Sequence, residues 1–71
     1  MLKMTDPATG VTITFEREDR DLLGNPVSAD RWMYRLLQND KPMGRSVSGE
    51  QAAAMVAKAR ADGRAVIEGA L

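Results

Sequence analysis

Ser28, Ser46 and Ser48 are the serine hydroxyls that could attack a substrate, and no histidine stands anywhere in the 71 residues to activate one. Nucleophilic catalysis needs a base within hydrogen-bond reach of the nucleophile. A Ser–Lys pair with Lys41 or Lys58 is the remaining route, and no spacing supports it. Ser48 has a structural task instead: with Gln51 three residues on it forms the capping-box spacing of a helix start. Glu16, Glu18, Asp19 and Asp21 lie close enough in sequence to suggest a cation site. A calcium loop would need oxygen ligands at fixed alternating positions, a central glycine and a terminal glutamate. Arg17 and Arg20 interrupt that pattern, so the segment reads as a solvated strand end. The six glycines are scattered and form no phosphate cradle, and cysteine is absent. No cofactor, no metal and no enzymatic activity are expected.

Binding chemistry remains. Arg31, Arg35, Lys41 and Arg45 surround Trp32 and Tyr34, and basic side chains interleaved with aromatics can hold single-stranded nucleic acid by stacking and phosphate contact. On a strand, Trp32 and Tyr34 share one face while Arg31 and Arg35 take the other. A two-residue turn after Gln38 would set Arg45 opposite Tyr34; a three-residue turn would set it opposite Arg35. The second candidate is the acidic segment around Glu18, Asp19 and Asp21, next to Leu22 and Leu23. That leucine pair could be a contact point, but the expectation is that it tucks under the sheet edge. Charge divides along the chain. Residues 1–30 carry three basic and six acidic side chains, and residues 31–71 carry seven and four, so the parts are −3 and +3.

These side chains are positioned by a short series of elements. Asp6-Pro7-Ala8-Thr9-Gly10 is a turn, joining Leu2–Thr5 to Val11–Arg17, whose alternation puts Val11, Ile13 and Phe15 inward. Residues 17–30 lose the period and form a long connection, of the kind that is often functional or mobile. Arg31–Gln38 fits a strand through Trp32, Tyr34 and Leu36, or a helix capped by Ser28. The strand is preferred, because Asn39-Asp40-Lys41-Pro42 is a turn and Met43–Val47 then has a partner. Ala52, Met55, Val56 and Ala59 make a narrow apolar stripe on a helix over 49–62, which Gly63 ends in a left-handed conformation. Arg64–Glu68 completes the set as a short strand. The architecture expected is α+β: a small antiparallel sheet of four to five strands with one helix packed on a face. Its core would comprise Ile13, Phe15, Trp32, Leu36, Val47, Met55, Val56 and either Val66 or Ile67. Opposite the stripe, Ala54, Ala57 and Ala61 form a flat helix surface. It is explained by helix propensity, or by close approach of a partner or second copy.

A chain of this length makes one small domain, whose core alone seldom supplies more than about 3–5 kcal/mol. Without cysteine or histidine, a partner chain is the supplement left. The lack of cysteine suits a reducing cytoplasm, and the longest apolar run, Ala52–Ala57, is too short for a membrane span. No membrane association is expected, and the N-terminal residues do not form a signal-peptide core.

The run from Arg31 to Ser46, followed by Gly49 to Met55, resembles the hairpin-then-alanine-rich-helix layout of very small phage proteins, certain anti-CRISPR proteins among them. The resemblance is one of size and architecture, covers about half the chain, and carries over no functional residue. It implies a compact, non-enzymatic inhibitor that covers a partner-binding or nucleic-acid-binding surface on a larger complex. A protein partner is therefore expected first, with contacts from Glu18, Asp19 and Asp21 or from Arg31, Arg35, Lys41 and Arg45. The alternatives are a small nucleic-acid-binding protein using the basic hairpin, and a homodimeric structural module joined by the alanine face or a sheet edge.

Overall fold

The computed structural model describes Met1–Leu71. Its elements are β1 (Leu2–Asp6), β2 (Val11–Glu18), a single 3-10 turn at Ala29–Arg31, β3 (Met33–Gln38), β4 (Lys41–Ser48), α1 (Gly49–Asp62) and β5 (Val66–Gly69). The five strands form one antiparallel sheet in the order β4-β3-β2-β1-β5. The fold is α+β, as the sequence pattern predicts.

Strands β1 to β4 follow one another as neighbours, so only the passage from β4 to β5 must travel from one sheet edge to the other. The helix makes that passage. Fourteen residues rise about 21 Å, and the four gaps between five strands come to about 19 Å. The helix is thus the right length to carry the chain across the sheet face. Its start is fixed as the spacing predicts: the Ser48 side chain accepts from Gln51 N at 3.1 Å, and Gln51 Oε1 accepts from Ser48 N at 2.9 Å. It ends at Gly63, at φ 68°.

Paired residues share a sheet face, so the register identifies the side beneath the helix. Leu2 lies opposite Phe15, Phe15 opposite Leu36, and Tyr34 opposite Val47. These residues, with Ala52 and Val56 of the helix, are the buried core; Met4, Ile13, Trp32, Met55, Ile67 and Leu71 pack around it half-buried. In the expected core the open choice between Val66 and Ile67 resolves to Ile67, and two corrections are needed. Val66 is 53 % exposed and Ile67 faces inward, because Ile67 pairs with Met4 on the helix side. Tyr34 is buried, while Trp32 precedes the strand and is only half-buried. Leu2 joins the core from the first strand. On the opposite face Thr14 and Leu37 are a buried cross-strand pair, and Thr14 Oγ1 has no hydrogen-bond partner.

The β3–β4 hairpin turns on Asn39 and Asp40 alone, both at positive φ (48° and 69°). This is the twist-matching two-residue geometry. Lys41 and Pro42 therefore belong to β4 rather than to the turn. The register then shifts. Leu37 pairs with Pro42 but Arg35 pairs with Ser46, which leaves Met43, Gly44 and Arg45 bulged opposite Leu36. Gly44, at φ 72°, supplies the left-handed position the bulge needs. Arg45 thus lies opposite neither Tyr34 nor Arg35, because the bulge shifts the register beyond what turn length alone sets.

Candidate interaction site

The connection from Asp19 to Val27 is short-range ordered. Val27 N donates to Asp19 O and Asp21 N to Asn25 O, continuing β2 as a small hairpin with an Arg20–Pro26 bridge. Asp21 organises the tip. Its Oδ1 accepts from both Leu23 N and Asn25 N at 2.9 Å, and its carbonyl accepts from Gly24 N at 3.0 Å. Asp at the first position and Gly at the fourth are the residues such a four-residue turn prefers. Arg20 closes the tip by donating from Nη1 to Gly24 O at 2.9 Å.

The base is anchored on Trp32. Its Nε1 donates to Val27 O at 3.2 Å, and the Arg17 guanidinium sits 4.1 Å over its ring. This cation–π contact joins the end of β2 to the return of the loop. With both ends tied down, the hairpin holds Leu22 and Leu23 outward at 106 % and 86 % relative exposure. The expectation that they tuck under the sheet edge is overturned. The Asp21 hydrogen bonds form the turn at these two residues, and the sheet has no open edge beside β2, which is flanked by β1 and β3.

The charged candidates are spread out. Glu18 accepts from the Ser46 hydroxyl at 2.6 Å, so that serine is held by a carboxylate and by no stronger base. Asp19 lies 3.8 Å from Arg17, and Asp21 is committed to the tip. Arg35 pairs with Glu16 at 2.8 Å across β2 and β3. Arg31 is in the 3-10 turn at one end of β3, and Lys41 follows the hairpin turn at the other. The six residues of β3 set its two ends about 17 Å apart. Arg45 is in the bulge of edge strand β4. Arg31 and Lys41 therefore stand at opposite ends of β3, Arg35 is held by Glu16, and Trp32 is occupied by Arg17 rather than presented with Tyr34 as a stacking pair.

A second concavity lies between α1 and β5. Leu2, Val56 and Leu71 line it with Ala53, Ala57, Gly69 and Ala70, Arg60 is at its margin, and its volume is about 340 Å³. Its helix wall is formed by Ala53, Val56 and Ala57, two of them alanines. No group of three or more metal-ligating side chains clusters anywhere in the fold, and no helix is long and apolar enough to cross a membrane. Compared with family profiles, curated proteins and solved structures, the chain matches none of them.

Proposed function

We propose that this chain is a non-enzymatic protein-binding module that engages its partner through the 19–27 hairpin. One observation carries the reading: two leucines are held fully in solvent by a loop whose backbone is already ordered. Ordering a loop before binding removes part of the entropic cost of association. Exposed apolar side chains at the end of a rigid projection fit an apolar pocket on another protein. The acidic residues Asp19 and Asp21 flank that contact and favour a basic rim on the partner. The resemblance to small phage inhibitors supplies the partner class to try first, a nucleic-acid-handling complex whose binding surfaces are basic.

The test is capture with a photoreactive residue placed at position 22, compared with an identical probe at Lys41. A partner crosslinked at 22, not at 41, whose non-covalent pull-down is lost in L22D/L23D, supports the reading. A partner that L22D/L23D retains overturns it.

A further inference from the structure

We infer that the Leu22–Leu23 tip of one copy of this chain seats in the α1–β5 groove of a second copy. This seating rests on the reading of the tip as a contact surface and names a partner for it. The tip offers two side chains with nothing around them. The groove offers apolar walls from Leu2, Val56, Ala57 and Leu71 that no side chain of its own molecule fills. In the isolated chain the two surfaces remain apart, since both leucines are exposed.

Charge favours the same pairing. The Asp21 carboxylate beside the leucines is in no ion pair, and one of its oxygens, Oδ2, is outside the tip's hydrogen bonds. Arg60 at the groove is likewise in no ion pair. The tip belongs to the −3 part of the chain and Arg60 to the +3 part. A copy approaching tip-first brings the unpaired Asp21 carboxylate towards the unpaired Arg60 guanidinium. The joint is between unlike surfaces, so it closes as a reciprocal pair or runs on head to tail.

Sedimentation velocity on the purified chain at low salt tests this, up to about 1 mM, where even weak encounters populate a dimer. The variants are L22D/L23D, which spoils the tip, and A57E, which fills the groove and opposes Asp21. All three positions are exposed, and far-ultraviolet circular dichroism checks that each variant is folded. Wild-type protein is expected to gain mass with concentration, and each variant alone to stay monomeric. An equimolar mixture should form a 1:1 complex, because one variant keeps the groove and the other keeps the tip. A monomeric wild type, a mixture that stays monomeric, or association retained by L22D/L23D overturns the inference. Those outcomes leave the crosslinking result at position 22 untouched, so self-association and foreign-partner binding fail separately.

Discussion

Arg35 and Glu16 lie directly across from one another on β3 and β2, and the guanidinium donates to the carboxylate at 2.8 Å. Arg35 therefore spends its charge within the sheet, on the face away from the helix. Both side chains are partly exposed, and such pairs contribute about 0.2–1 kcal/mol. A double-mutant cycle with Arg35→Ala and Glu16→Ala, read by urea denaturation, should give a coupling in that range. The coupling should shrink as salt is added.

The capping box should carry a measurable share of the helix's stability. Ser48→Ala loses the acceptor for Gln51 N and is expected to destabilise by about 1 kcal/mol. Gln51→Ala leaves the Ser48 cap in place and should cost less. Both are read as shifts of the urea midpoint at constant slope.

The two turn residues at positive φ should respond in opposite directions. Asn39 Oδ1 accepts from Thr12 N at 2.7 Å, which ties the β3–β4 turn to the start of β2. Asn39→Gly loses that bond and should cost about 1 kcal/mol. Asp40 makes no side-chain hydrogen bond or ion pair, and glycine is favoured at its position in this turn type. Asp40→Gly should be neutral to stabilising. Thermal unfolding of the two single variants separates them.

Sequence signals were strongest where a few neighbouring residues settle the geometry. Ser48, Gln51 and Gly63 bound a helix by local hydrogen bonds and a left-handed stop, and the helix falls at 49–62 as the spacing predicts. Asp6 likewise forms its turn, accepting from Ala8 N at 2.9 Å. The bulge at Gly44 was not legible, because it is a relation between two strands and no local pattern counts its extra residues. Leu22 and Leu23 depart from the expectation for a different reason. Apolar character does not require burial, and the outward projection is set by Asp21 and Gly24, whose turn spacing was present in the sequence. The proposed contact thus uses the leucines beside Asp21, next to the acidic residues to which the sequence points.

Thr14 should tolerate loss of its hydroxyl. The side chain is buried beside Leu37 and its Oγ1 lacks a hydrogen-bond partner. An unpaired buried hydroxyl carries a desolvation cost of about 1–3 kcal/mol. Thr14→Val keeps the β-branched shape that suits a strand. It is expected to raise the urea midpoint, and a lowered midpoint would show that the hydroxyl is satisfied.

Asp62 gives the chain a pH-dependent helix end. Its carboxyl is held below the ordinary aspartate range, first by the hydrogen bond that Lys58 donates at 3.0 Å and then by the charge of Lys58, with Arg64 adding to it. A pKa lowered on folding stabilises the protein above the ordinary aspartate value, and the contribution disappears as pH falls through the lowered value. The Lys58–Asp62 pair is solvent-exposed, and a negative charge in the last helical turn opposes the helix dipole. The effect should therefore be small. Asp62→Asn should be less stable than wild type at neutral pH, with the gap closing below the ordinary aspartate range. Urea denaturation of both proteins across that interval measures it. A gap that persists at low pH would assign the contribution to packing rather than to charge.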